Sequence, residues 1–171
     1  KAFAQAWHDN PALRLHFVGG DMGLEKNRNL KSSLLAVASQ LGVGGVVTTD
    51  GYSNDVEREI KSADIVLNFS ESESFSRTCL EASSFGRPII ATRSGGPEEI
   101  VEHGVSGLLV PVRDVAAMAA AIERLSQDGG LRREMGEAGR ILVLQRFSCA
   151  AFIHGWRCLM AGLDGHCPED G

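Results

Sequence analysis

Two glutamates eight positions apart carry the clearest chemistry in the sequence. Glu73 lies in a loop after an apolar run, and Glu81 lies one or two turns into the short helix expected next. The backbone N–H groups of residues 75–78 would be unpaired at the start of that helix, where the helix dipole favours an anion. Because carboxylates accept hydrogen bonds from sugar hydroxyls, the arrangement suits a sugar attached to a diphosphate. Either glutamate alone is better explained as a solvated surface residue, but the pair beside a helix start favours a site.

Arg77 stands between the two glutamates and can be interpreted in two ways. Its guanidinium group is permanently charged and presents a planar fork of donors, which suits phosphate. It also precedes Glu81 by four positions, so the two side chains could simply pair across one helical turn. Both interpretations remain open at this stage. The candidate substrate-binding residues of the segment are Glu73, Phe75, Ser76, Arg77, Thr78 and Glu81, and Glu73 is also the candidate catalytic residue.

Glycine-containing loops supply a second group of candidates. These are Gly19, Gly20, Gly51, Tyr52, Gly95 and Gly96. The first of the loops lacks the GxGxxG spacing of a dinucleotide fingerprint, so a plain NAD-binding domain is not expected. A tight turn after the strand explains its glycines at least as well as a phosphate contact does. Gly95 and Gly96 would let a ligand approach the backbone closely. However, Pro97 suits the first position of a helix, so the residues alone favour a structural helix start here.

Metal and thiol chemistry find little support. The four cysteines stand at 79, 149, 158 and 167 without a CxxC pair, and no histidine spacing completes a zinc set. A Cys–His nucleophile is conceivable with five histidines in the chain, but no local signature places one beside a thiol. We therefore expect reduced thiols in a cytosolic protein, with no metal and no cofactor.

The composition indicates an ordinary water-soluble domain. The chain has 171 residues, 17 Lys+Arg against 22 Asp+Glu, and a formal net charge of −5. A nucleic-acid partner is not expected, because neutralising phosphates needs a basic patch. No apolar stretch approaches the roughly 20 residues that span a bilayer. A chain of this length is expected to form one domain with a full core.

Short apolar runs alternate with helical patterns along the chain, which predicts βαβ units and a parallel sheet with helices on both faces. The expected strands are residues 13–18, 46–49, 65–69, 88–92 and 107–110, and the main helices are 28–41, 54–62, 78–85, 115–127, 131–145 and 149–163. Ligands of such sheets bind beyond the carboxyl ends of the strands, where all the candidate loops lie. The polar residues 164–171 are expected to form a loose tail.

The segment ESESFSRTCLEASSFGRPIIATRSGGPEEIVEHGVSGLLVPV resembles the donor-binding half of retaining glycosyltransferases of family four, which have the GT-B fold. The hallmark of that family is a glutamate, seven residues and a second glutamate, matched by Glu73 and Glu81. The upstream pattern VGG…GYSNDVEREIKSADIVLNFS fits as well, so the resemblance covers residues 2–160. It implies a Rossmann-like α/β/α domain over residues 1–163, the C-terminal half of an enzyme whose N-terminal acceptor domain is absent from this chain.

The resemblance also implies roles for individual residues. Glu73 would contact the donor-sugar hydroxyls, Glu81 would hold the ribose, and the backbone from Phe75 to Thr78 would hold the diphosphate. Gly51 and Tyr52 would face the base. Sugar would pass from a nucleoside diphosphate sugar with retained configuration and without a metal ion, and Glu73 would orient the sugar rather than act as a base. A nucleotide-sugar epimerase of related fold and a non-catalytic nucleotide-sugar-binding module are the alternatives.

Three departures from the family pattern bear on activity. The family usually has Phe-Gly where this chain has Phe75-Ser76, and the backbone contact should survive the bulkier serine. The diphosphate-binding Arg and Lys of the family lie upstream of the helix that begins here at residue 2, so we expect both to be missing from this chain. The acceptor domain is absent, so the isolated chain should not transfer sugar. The full-length enzyme is expected in the cytoplasm, with the inner face of the membrane as a second location.

The last helix carries one apolar stripe, formed by Phe152, Trp156, Leu159, Met160 and Leu163. In the family this helix crosses back to the N-terminal domain, which is missing here. Leaving the stripe exposed costs about 25 cal/mol per Å² of apolar surface. We therefore expect the helix either to fold back onto this domain or to bury its stripe in a homodimer or a swapped neighbour.

Overall fold

Strands and helices alternate along the chain as the apolar pattern predicts. The computed structural model describes residues 1–19 and 25–163. The strands are β1 Leu15–Val18, β2 Val47–Asp50, β3 Val66–Asn68, β4 Ile89–Thr92 and β5 Gly107–Val110. The helices are α1 Ala2–Asp9, α2 Glu25–Gln40, α3 Val56–Ser62, α4 Arg77–Ser84, α5 Gly96–Ile100, α6 Val115–Gln127, α7 Gly129–Phe147 and α8 Cys149–Leu163, with a short 3-10 turn at Gly44–Val46. Two sequence predictions, Gly20 and the tail 164–171, fall outside the described residues.

All strand pairings in the described part of the chain are parallel. Leu15 pairs with Val47, Val66 with Ile89, and Ile89 with Gly107. The hydrogen-bonded ladders form two groups, β1–β2 and β3–β4–β5, rather than the single sheet expected. Among the described residues, no ladder joins one group to the other. The parallel pairing of the strands is confirmed. The expectation that all five strands form one continuous hydrogen-bonded sheet was wrong.

Helices cover both faces of β4 and β5, which are buried along their whole length. Successive side chains of a strand point to opposite faces, and here they enter two different cores. Ile90 and Leu108 pack with α1 and α6, whereas Ile89 and Leu109 pack with α4 and α5. Burial on both faces explains why these strands are continuous apolar runs rather than alternating ones.

The apolar stripe of α8 is not covered. Phe152 is 72%, Trp156 57% and Leu159 55% exposed. A single residue, Ser148, separates α8 from α7, and both faces of the sheet are already occupied by other helices. The expectation that α8 folds back onto this domain is therefore wrong for the single chain. The side chain of Leu163, the last residue of the stripe, is outside the described set.

None of the described helices is long and apolar enough to cross a membrane.

Candidate functional site

Glu73 is held by its backbone at the carboxyl end of the sheet. The loop that follows β3 runs beside the loop that follows β4, and the two exchange hydrogen bonds. The N–H of Glu73 donates to the carbonyl of Ser94 at 2.9 Å, and the N–H of Gly96 donates to the carbonyl of Glu73 at 2.6 Å. The result is an isolated parallel bridge between Glu73 and Gly95. The two candidate loops are thus brought together, as the rule for open parallel sheets predicts.

Gly95 and Gly96 are required by this close approach. Gly95 has φ +103°, and a Cβ there would lie 2.8 Å from the carbonyl oxygen of Glu73. A Cβ on Gly96 would lie 2.6 Å from the Cα and 2.7 Å from the N of Phe75. The space that glycine provides is therefore filled by the candidate site's own backbone, in agreement with the structural interpretation. Gly95 is the N-cap of α5, so Pro97 occupies the second helical position and not the expected first.

Ser76 is the N-cap of α4 and is fully buried. Its Oγ accepts a hydrogen bond from the N–H of Cys79 at 3.2 Å and another from Nδ2 of Asn68 at 2.7 Å. This cap satisfies one of the first-turn donors of the helix, which leaves the N–H groups of Arg77 and Thr78 without an intrahelical acceptor. The helix start therefore presents two donors for an anion, preceded by a rigidly held serine.

Arg77 and Glu81 pair across one turn of α4. The guanidinium NH2 group lies 3.1 Å from Oε1 of Glu81, and the two side chains are 84% and 33% exposed. The second interpretation of Arg77 from the sequence is the one that the structure shows. The contact uses Oε1 only, which leaves Oε2 of Glu81 and the other guanidinium donors for a ligand.

Phe75 connects the candidate site to the end of α7. Its half-exposed ring meets the ring of Phe147 edge-on, with centroids 5.9 Å apart and an interplanar angle of 63°. This T-shaped geometry is a favourable one for aromatic pairs. The neighbouring Thr78 is exposed on the first turn of α4. The loop that carries Glu73 is thus packed against the end of α7.

Glu71 and Arg113 form a second support for the same loop, which the sequence did not reveal. Nε of Arg113 donates to Oε1 of Glu71 at 2.9 Å, and its NH2 group donates to Oε2. Arg113 has φ +63°, an uncommon conformation for a residue with a side chain. The hydrogen bonds and charge of Arg113 hold the pKa of the Glu71 carboxyl below its usual range. Forty-two positions separate the pair in sequence, and no local pattern connects them.

The loops after β1 and β2 meet each other. The N–H of Gly19 donates to the carbonyl of Gly51 at 3.2 Å. A Cβ on either glycine would meet none of the described atoms within 4 Å, and Tyr52 is 77% exposed. In the described part of the chain, no hydrogen bond links Gly19, Gly51 or Tyr52 to Glu73.

The remaining chemical groups do not point to a metal. Among the described residues, no three His, Cys, Asp or Glu side chains cluster closely enough to hold one.

Burial raises the pKa of the Cys79 thiol, which lies within the core near Ser76. Asn68, the last residue of β3, contacts Ser76 and was not among the site residues predicted from the sequence. The feature that could have indicated it is a polar residue at the end of an apolar run.

Comparison with known proteins identifies the family. Residues 1–142 match the family model described as Glycosyl transferases group 1. The chain belongs to this family. A group 1 relative from Rhizobium meliloti, the lipopolysaccharide core biosynthesis glycosyltransferase LpsE, is 30% identical over 131 residues, covering 77% of this chain and 38% of that protein. The D-inositol 3-phosphate glycosyltransferase of Corynebacterium jeikeium is 36% identical over 132 residues, 76% of this chain and 31% of that protein.

Solved structures of other proteins show the same fold. Anabaena Alr3699/HepE in complex with UDP superposes with a TM-score of 0.84 at 25% identity, covering 96% of this chain and 43% of that one. The C-terminal domain of LpcC from Francisella tularensis gives a TM-score of 0.76 at 24% identity, with 86% and 78% coverage. This group 1 chain spans less than half of the full-length relatives it matches, and it has the fold of a C-terminal domain of the GT-B type.

Proposed function

We propose that this chain is the donor-binding domain of a glycosyltransferase and that it binds a nucleoside diphosphate sugar at the Glu73 loop and the start of α4. The observation that carries the proposal is the juxtaposition at one strand end of a carboxylate, Glu73, and a capped helix start with two N–H groups that have no intrahelical acceptor. UDP in the complex with Anabaena Alr3699/HepE supports a nucleotide ligand for this fold.

Each group then has a role that follows from its chemistry. Glu73 accepts hydrogen bonds from the sugar hydroxyls and orients the sugar, and the N–H groups of Arg77 and Thr78 bind the diphosphate. Oε2 of Glu81 accepts from the ribose hydroxyls, while Arg77 adds positive charge nearby. Gly51 and Tyr52 face the base.

The proposed reaction transfers the sugar with retained configuration and without a metal ion. Donors at the helix start stabilise the departing diphosphate, and catalysis rests on positioning. The acceptor site lies in a domain outside this chain, so the chain alone binds donor without transferring sugar. The full-length enzyme would work in the cytoplasm or at the inner face of the membrane.

The first test is donor binding by the chain itself, measured by amide chemical-shift titration with UDP-, GDP- and ADP-glucose. We expect at least one donor to bind, with the largest shifts at residues 75–78. Replacing Glu81 by alanine should weaken that binding by about tenfold to a hundredfold, because a hydrogen bond to a charged group contributes about 1.5–3 kcal/mol.

Glu137→Ala is the matched control for Glu81→Ala. Glu137 is an exposed glutamate on α7 that pairs with Arg140 within the helix, as Glu81 pairs with Arg77 within α4. Its replacement should leave donor affinity unchanged. Failure of all three donors to bind, or equal affinities for the wild type and Glu81→Ala, would contradict the proposed function.

A further inference from the structure

Asn68 occupies a buried position between Glu73 and Ser76, the N-cap of α4. It is the last residue of β3, and only 8% of it is exposed. Its Nδ2 donates to Oε2 of Glu73 at 2.8 Å and to Oγ of Ser76 at 2.7 Å. One amide nitrogen therefore contacts both the carboxylate proposed to bind sugar and the cap of the helix proposed to bind phosphate.

The orientation of the Asn68 amide is determined by its partners. Oδ1 accepts from the N–H of Ser70 at 3.2 Å and from its Oγ at 2.8 Å. A backbone N–H can only donate and an ionised carboxylate can only accept, so the amide cannot be turned over without breaking contacts on both sides. All the hydrogen-bonding capacity of the side chain is used, as a buried polar group requires.

We propose that Asn68 is a positioning residue that sets the Glu73 carboxylate relative to the start of α4 before the donor arrives. This inference rests on the proposed function. Glu73 itself lies on a loop, where its side chain would otherwise sample several rotamers. The bond from Asn68 selects the one in which Oε2 points inward, which leaves Oε1 for the sugar. Asn68, at the end of β3, thereby fixes the distance between the Glu73 carboxylate and the start of α4.

Asn68→Asp separates this role from simple filling of space, because the two side chains have nearly the same shape. Ser76 can rotate its hydroxyl and donate to the introduced carboxylate, so the cap of α4 is preserved. The contact with Glu73 instead becomes a pair of carboxylates, which repel each other unless they share a proton. The titratable groups recorded in contact with position 68 are the Glu73 carboxylate and the Cys79 thiol, whose pKa is raised by burial.

The readout is the ratio of the affinities for the nucleotide sugar and for the nucleoside diphosphate alone, measured at two pH values. At pH 8 we expect the ratio in Asn68→Asp to fall about fivefold below that of the wild type. At pH 5.5 the shared proton should restore it to within about twofold. Asn10→Asp is the control, since Asn10 caps a surface turn by accepting from the N–H of Ala12, a role that aspartate fills equally well.

A second measurement needs no donor and no variant. In the wild-type chain, the side-chain NH2 resonances of Asn68 should shift with the protonation of the Glu73 carboxyl in an NMR pH titration. An affinity ratio unchanged at pH 8, a reduced ratio that acid does not restore, or Asn68 resonances that ignore the titration of Glu73 would each overturn the inference. Absence of donor binding by the wild type contradicts the proposed function alone, because the NMR titration still tests Asn68.

Discussion

Ser76 explains how this chain tolerates a departure from the pattern of its family. The family usually has glycine where Ser76 stands, and a side chain there would need space and a partner. The structure supplies both, because the residue adopts a non-helical conformation with φ −91° and ψ 95° and caps α4. Because glycine is itself an acceptable N-cap, a serine cap contributes only about a few tenths of a kcal/mol more than glycine would. The side chain of Ser76 is therefore accommodated at the helix start, where its Oγ accepts hydrogen bonds from Cys79 and Asn68.

Cys79 and Cys149 should differ strongly in reactivity. Cys79 is fully buried with a raised pKa, so it has neither access nor thiolate character, whereas Cys149 is exposed. With iodoacetamide at pH 8 under native conditions, mass spectrometry should find Cys149 modified and Cys79 intact. Both should react in denaturant, and Cys149→Ser serves as the control for assignment. Modification of both cysteines at one rate in the folded protein would show that Cys79 is accessible.

At the scale of elements, α4 is positioned by the helix packed across its end. Helix α7 passes so close to the turn after α4 that a Cβ on Gly136 would lie 2.1 Å from the carbonyl oxygen of Gly86. Gly86 itself has φ +67° and ends the helix in the left-handed conformation that glycine favours. Two glycines thus set the distance between α4 and α7, and with it the support that Phe147 provides to Phe75.

Gly136→Ala is expected to destabilise the fold, although alanine is the better helix former by about 1 kcal/mol. The new methyl group meets backbone atoms that cannot rotate away, and such overpacking costs about 1–3 kcal/mol. The two effects oppose each other, so the free energy of unfolding in urea should fall by up to about 2 kcal/mol. Gly129→Ala, at the start of the same helix, would bring its methyl group 3.5 Å from the guanidinium of Arg132, an ordinary contact distance, and should change stability by less than about 0.5 kcal/mol. Equal effects of the two substitutions would contradict the close-packing argument.

At the scale of the whole molecule, the described part of the domain combines two apolar cores with an uncovered helix at its end. The two cores lie on either side of β4 and β5. The exposed stripe of α8, by contrast, joins Phe152, Trp156 and Leu159 into an apolar surface of the kind that marks a protein interface. A homodimer of this chain, the second arrangement expected from the sequence, would cover it.

Replacing Trp156 and Leu159 together by glutamine should reduce self-association of the chain. We expect the wild type to show a mass that rises with concentration in light scattering coupled to size-exclusion chromatography, because apolar surface is removed from water on association. The double variant should remain monomeric with a similar free energy of unfolding. Arg157→Gln, on the same helix, is the control and should behave as the wild type. A wild-type chain that stays monomeric at its highest soluble concentration would contradict the prediction.

The local features of this protein could be predicted from its amino-acid sequence. Parallel strands buried on both faces are continuous apolar runs, so PIIAT and GLLV predicted β4 and β5 to within a residue. Helix starts and ends follow from nearby capping residues, and the spacing of Glu73 and Glu81 depends only on one loop and one short helix. The order of these motifs was specific enough to indicate the family.

Contacts between groups that are far apart in sequence could be identified only from the three-dimensional structure. The bond from Asn68 to Glu73 and the pair of Glu71 with Arg113 depend on how strand ends and loops are placed in space, and residue order does not encode such distances. The same holds for Gly96, whose lack of a side chain makes room for Phe75 and not for a ligand. The division of the strands into two hydrogen-bonded groups and the uncovered stripe of α8 were also invisible in the sequence, because an apolar pattern shows that a surface favours burial but not what lies against it.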